Sequence, residues 1–309
     1  MQQGRGPGLL VGVVAIVAFV LGAGVVAGVF LLRDSSREPV DDAAGPSASP
    51  AQSQLPPSAP RPAGRPGPDN TGVPPDVELR PSDVVEVTEP GTVLDGLDLG
   101  CLRVKADDVT VKRSRIRCDA DDLPAVRADD GVDRLLLEDT EIDGMGVTSI
   151  GVGFARFTLR RVNVHSTVDG VRAGDSSVIE DSWIHSLSRK PGTHNDGIQS
   201  IRGTGIVIRR NTIDVFTDGD FMNAAYIISA GSERTVTDVR VEDNYLNGGN
   251  YTVYLGDSDA KSVTGVVFRH NVFGGDFRYG PRVAIPEGTV WEDNKLASGA
   301  EVPGKTGKG

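Results

Sequence analysis

The sequence predicts an all-β solenoid, and three observations predict it. An eight-residue shape recurs along most of the 309-residue chain. Every copy alternates apolar residues as a strand does, and none shows the i, i+3, i+4 spacing of a helix. Four asparagines also fall at one position of successive copies: Asn211, Asn244, Asn271 and Asn294.

From the N-terminus, residues 8–32 are apolar and carry no charge. A bilayer needs about 20 apolar residues, whereas a cleaved signal peptide has an apolar core of about 7–15. The expectation is an uncleaved anchor, residues 1–33, spanning the membrane through residues 9–32. Arg5 precedes the span, and Arg33 and Arg37 follow it, offset by Asp34 and Glu38. That bias is small, so orientation rests on the Pro-rich stretch and β-domain downstream, which suit export. The chain is expected in the cell membrane, single-pass, with its β-domain outside the cytoplasm. Residues 34–78, rich in Pro, Ser, Ala and Gly, read as a disordered tether. The β-domain is expected over 79–297, its first coil capped near Val84 and Val85. Residues 298–309 read as a flexible tail.

The type copy is I-V-I-R-R-N-T-I, residues 206–213. The others are V-T-V-K-R-S-R-I from Val109, L-L-L-E-D-T-E-I from Leu135, F-T-L-R-R-V-N-V from Phe157 and S-V-I-E-D-S-W-I from Ser177. After the type copy come V-R-V-E-D-N-Y-L from Val239, V-V-F-R-H-N-V-F from Val266 and T-V-W-E-D-N-K-L from Thr289. Their starts differ by 26, 22, 20, 29, 33, 27 and 23 residues. A period of roughly 20–30 residues marks a repeat architecture. A second short strand lies between copies: V-K-A-D-D from Val104, V-R-A-D-D from Val126 and V-R-A-G-D from Val171. Asparagines stacked at a tight bend can bond from coil to coil. In these features residues 93–296 resemble the right-handed parallel β-helix proteins of the pectin-lyase-like fold.

Composition narrows the function. There are 32 Lys and Arg against 43 Asp and Glu, a formal net charge of −11. That excludes nucleic-acid binding through bulk charge. Cys101 and Cys118 can form one bridge or stay as two buried thiols.

The repeat is interrupted most between residues 187 and 254. S-R-K-P-G-T-H-N-D-G-I-Q from Ser188, T-D-G-D-F-M-N from Thr217 and N-G-G-N-Y-T-V-Y from Asn247 fall on adjacent coils. Polar groups from successive coils then share one outer face, which is how a solenoid builds a groove. If Val104, Val126, Val171, Ile198 and Val253 point inward, the next residues face out. These are Lys105, Arg127, Arg172, Gln199 and Tyr254, a basic stripe suited to an acidic polymer. Neutralisation of each cation by Asp or Glu would remove that stripe. His194 can carry a proton near neutral pH. Asp196 is either a base or a corner residue bonding the backbone, since Asp169-Gly170 repeats its Asp-Gly one coil earlier.

H-N-D-G-I-Q, D-G-D and G-G-N-Y-T-V-Y resemble secreted bacterial β-helix proteins and, more distantly, polygalacturonase-type glycoside hydrolases. The latter carry N-x-D, then a paired Asp, then Gly-His-Gly on consecutive coils. Here His194 stands for the Asn and Asp196 matches the Asp. Asp218 and Asp220 lie at the pair, split by Gly219, and Gly248-Gly249-Asn250 stands at Gly-His-Gly. Catalysis is expected around His194, Asp196 and Asp220, with the outward residues Lys105, Arg127, Arg172, Gln199 and Tyr254, together with Asn195, binding substrate. The fold also hosts lyase and epimerase chemistry, in which Arg172, Gln199 or Asn195 neutralises a uronate carboxylate and His194 takes a proton. Tyr251, Tyr254 or Tyr279 would return it. No cofactor is assigned. Asp218, Asp220, Asp257 and Asp259 form Asp-x-Asp runs of a kind that can hold calcium, but such runs are common in plain loops, and no metal is assigned. The expected protein is a membrane-anchored enzyme acting on an acidic or cell-envelope polysaccharide. The alternative is a non-catalytic glycan-binding or structural surface protein. The sugar, the bond and the oligomeric state stay open.

Overall fold

The computed structural model describes residues 64–121, 124–154, 156–218, 220–230, 234–256 and 262–304. The expected membrane span and the tether up to residue 63 lie outside them, as do Asp257 and Asp259. The described chain is a parallel β-helix. Successive coils contribute short strands to three sheets of ten, nine and nine strands. Each eight-residue unit supplies a strand of the third sheet, a bend, and a strand of the first. In the type copy these are Gly203–Arg209 and Thr212–Asp214.

Register follows the apolar pattern. Val111, Leu137, Leu159, Ile179, Ile208, Val241 and Phe268 pair in sequence down the third sheet. All seven are fully buried. Burying each such side chain contributes about 1.5–3 kcal/mol, and stacking repeats that gain coil after coil. A one-residue slip would turn the whole set to solvent.

The bend is built by two positions. The fifth residue of all eight units has positive φ, from 48° at Arg113 to 58° at Asp243. The sixth residue satisfies the backbone there. Asn211 donates Nδ2–H to Ile179 O (2.8 Å) and to Asn244 Oδ1 (3.0 Å), and its Oδ1 accepts from Ser182 N at 2.9 Å. Asn244 and Asn271 repeat the pattern one coil on. The asparagine ladder is therefore present, and hydroxyls extend it. Ser182 Oγ accepts from Val162 N, and Ser114 Oγ from Leu97 N.

The charged pair in each unit also has a function in the stack. Down the coils it reads KR, ED, RR, ED, RR, ED, RH, ED. Basic and acidic coils alternate, so the guanidiniums meet carboxylates of a neighbouring coil. Arg160 pairs with Glu180 at 2.9 Å and Glu138 at 3.3 Å. Arg161 pairs with Asp139 at 2.6 Å, and Arg210 with Asp181 at 2.9 Å. His270 sits between Asp243 and Asp293.

Two boundaries differ from those expected. Residues 64–78 are not a free tether. Gly72 N donates to Arg161 O at 2.9 Å, and the Arg65 guanidinium lies 3.8 Å from the Tyr245 ring centre. A cation and small residues that fit the outer face of the coils hold this segment, although its composition reads as linker. Residues 298–304 are not loose either. Val302 is buried against the last coil, and its carbonyl accepts from Trp291 Nε1 at 2.6 Å. Trp291 stacks on Phe268, ring centres 4.9 Å apart, and closes that end of the core. Cys101 and Cys118 form a disulfide near the start of the helix.

Candidate functional site

The site grows from an irregularity in the second sheet. Strands Asp169–Ala173 and Asp196–Ser200 each place two successive residues inward, Gly170-Val171 and Gly197-Ile198. A Cβ on Gly197 would lie 2.5 Å from Ile213 Cγ2 and 2.6 Å from Ala225 O, both core-side atoms. Val171 and Ile198 are fully buried in the core. The neighbouring coils share this step, and their register runs through it without an inserted residue. Asp169 and Asp196 are turned to the outer face beside Arg172 and Gln199. The Asp-Gly dipeptides are therefore strand features, not corners.

Asp169 and Asp196 stand on neighbouring coils, which stack about 4.8 Å apart. Asp196 N donates to Asp169 Oδ1 at 3.2 Å. Asp169 is 7% exposed and Asp196 is 0% exposed. Burial pushes the Asp196 carboxyl up to about 7, and the negative charge of Asp169 adds to the shift. Burial likewise pushes Asp169 up to about 6, against the pull of Asp196 N–H, Arg172 and His194. Burial and the neighbouring like charge both favour the protonated form, so the two carboxyls titrate as a coupled pair above the ordinary carboxylate range.

The surroundings hold one side of the pair and leave the other open. Asn223 Nδ2 donates to Asp196 Oδ1 at 2.8 Å. Arg172 Nη2 reaches Asp169 Oδ2 at 3.3 Å. Asp196 Oδ2, Gln199 Oε1 and Arg172 Nε are buried without a partner. Orphaned buried polar atoms are rare, and here an acid, an acceptor and a donor cluster on two coils. Tyr254 stands on the same face, its phenol held up by burial and by charge from Tyr251 and Asp196. Tyr251, Tyr254 and Tyr279 form an aromatic group, with ring centres 5.4 and 5.6 Å from Tyr251. Arg278 lies over Tyr279 at 4.9 Å and faces Phe221 at 5.7 Å. Arg189 Nη1 donates to Phe221 O at 2.6 Å, tying the loop before Asp196 to a hairpin made by Phe216–Thr217 and Asp220–Phe221.

The structure thus brings together Asp196, Arg172, Gln199, Tyr254 and the exposed His194, whose charge is felt at Asp169. It separates the others. Asn195 is turned inward, with Nδ2–H bonds to Val168 O (3.0 Å) and Ser188 O (2.7 Å), so its amide braces the loop. Asp220 lies on the hairpin, outside the three sheets. Lys105 is out of column. The partner of Arg127 is Arg103, because Val104 pairs with Ala128 rather than Val126. This two-residue shift keeps the inward-outward alternation and hides from pattern matching. The basic stripe is also compensated: Lys105 by Glu86 (2.6 Å), Arg127 by Asp129 (3.6 Å) and Arg172 by Asp169 (3.3 Å). It is a row of ion pairs and not a bare positive track. Sequence reasoning passed over Asp169 and Asn223. The available signal was the repeat of Asp-Gly at one register, which stacks two acids. No known family's model matches the chain, and no curated protein matches it either.

Proposed function

We propose that the chain is a membrane-anchored, extracytoplasmic carbohydrate-active protein, in which Asp169 and Asp196 act as a proton-sharing acid–base pair on a polysaccharide. One observation carries this reading: two buried carboxyls stand on adjacent coils, joined by Asp196 N–H to Asp169 Oδ1, beside an unpartnered Asp196 Oδ2, and burial raises the pKa of both. A general acid or base works best when its pKa lies near the working pH. The pair can protonate a glycosidic oxygen as its bond to carbon breaks, or remove a proton beside a uronate carboxylate. In the second case Arg172 would hold the carboxylate and Tyr254 would return the proton. The tyrosine group beside the pair offers faces on which sugar rings can stack. The uncharged span over residues 8–32 supports the membrane assignment.

Binding without turnover is the second reading, and it too has an observation: the Asp196 side chain is fully enclosed. Glycan reaches it only if the side chains packed around it shift.

The test incubates full-length protein with acidic and neutral polysaccharides and detects shortened, unsaturated or epimerised products. Asp196→Asn is expected to lower turnover by roughly 10²-fold or more, in line with loss of a general acid–base group. Equal turnover in the variant would overturn the reading. Binding of a glycan with no product under any condition would establish the second one.

A further inference from the structure

A second concave site lies at the bend between the second and third sheets. It is a cleft of about 580 Å³, and five arginines line it: Arg127, Arg156, Arg172, Arg202 and Arg234. They come from successive coils of a chain whose net charge is −11. Like charges converge here against the trend of the whole molecule.

Three carboxylates, Asp129, Asp130 and Asp175, line the cleft against the five arginines, and Asp169 reaches Arg172 at 3.3 Å from the neighbouring site. Asp129 is held by both guanidinium nitrogens of Arg103, at 2.8 and 2.7 Å, and reaches Arg127 only at 3.6 Å. Asp175 Oδ1 accepts from Thr204 N at 2.9 Å. Asp130 meets Arg202 at 3.9 Å between side chains 100% and 66% exposed, and such a pair is worth little. Among the described residues neither Arg156 nor Arg234 has a carboxylate partner. Arg127 Nε and Arg172 Nε are buried with no acceptor.

We infer that this cleft binds a tetrahedral oxyanion, a sulfate or phosphate group carried on a larger ligand. A carboxylate offers two oxygens, which one or two guanidinium forks saturate. A tetrahedral dianion offers oxygens in several directions and suits forks that converge from different coils. This inference shares Arg172 with the acid–base site but requires no turnover, and Arg156 and Arg234 belong to the cleft alone.

The test is calorimetric titration of full-length protein with inorganic sulfate, phosphate and acetate at matched ionic strength. Sulfate or phosphate is expected to bind at least tenfold more tightly than acetate, and the better of the two names the ester to seek. Arg156→Gln/Arg234→Gln, which alters exposed side chains only, is expected to weaken that binding by roughly tenfold or more. Asp196→Asn is expected to leave it unchanged, so failure of turnover and failure of anion binding are separate results. Equal binding of acetate, or unaltered binding in the double variant, would overturn the inference.

Discussion

Asp169 and Asp196 make folding and proton uptake interdependent. Both carboxyls have folded pKa values above the ordinary 3.8, at about 6 and about 7. Such groups favour the folded state while they keep their protons. Their contribution is complete below about pH 3.8 and is lost as pH rises through 7. Glu141 works in the opposite sense: its bonds from His165 and Arg115 hold it down at about 2, so its contribution disappears only below 4.5. The two windows overlap only between 3.8 and 4.5. Denaturant unfolding at stepped pH is therefore expected to show stability falling from about pH 4.5 to 7. Asp196→Asn is expected to flatten that fall, and an unchanged slope would show that the pair ionises normally. Neither carboxyl's environment is legible in sequence. The Asp-Gly motif is visible, but the inward packing of its glycine depends on Ile213 and Ala225, which only the fold brings against Gly197.

At the scale of the element, the bend links coils whose single strands are only two to seven residues long. Asn244 Oδ1 accepts from Asn211 N (2.9 Å) and Nδ2 (3.0 Å), while its Nδ2–H groups reach Ile208 O and Asn271 Oδ1. Asn244→Ala would leave Asn211 N and Ile208 O buried and unpaired, at about 2–4 kcal/mol. Asn294→Ala, at the end of the ladder, is expected to destabilise less, because no asparagine follows it. Thermal unfolding of the two variants checks the order. This ladder was legible because its period is written in residue identity. The strand at 102–104 was not, because V-K-A-D-D imitates V-R-A-D-D two residues out of register. The loop at 187–195 hid Asn195 for a related reason: polar residues there read as exposed, yet its amide satisfies backbone carbonyls.

For the whole molecule, alternation of basic and acidic coils fixes which coil can sit on which. Deleting residues 157–176 removes one coil and sets Glu138-Asp139 beside Glu180-Asp181. Deleting 157–205 removes two and sets the same acids beside Arg209-Arg210. Breaking a buried ion pair costs about 3–5 kcal/mol. The shorter deletion is therefore expected to melt lower than the longer one, and the reverse order would show that the charges follow the fold and do not direct it. The same rod carries the acid–base pair on one wall and the arginine cleft at the next bend. Every functional statement about the former depends on one shared proton. Its most direct test follows the ¹³C shifts of aspartate carboxyl carbons across pH, with Asp169→Asn and Asp196→Asn assigning the signals. The account predicts two coupled steps, one near 6 and one near 7, and loss of the coupling in either variant. Two independent carboxyls titrating near pH 4 would contradict it.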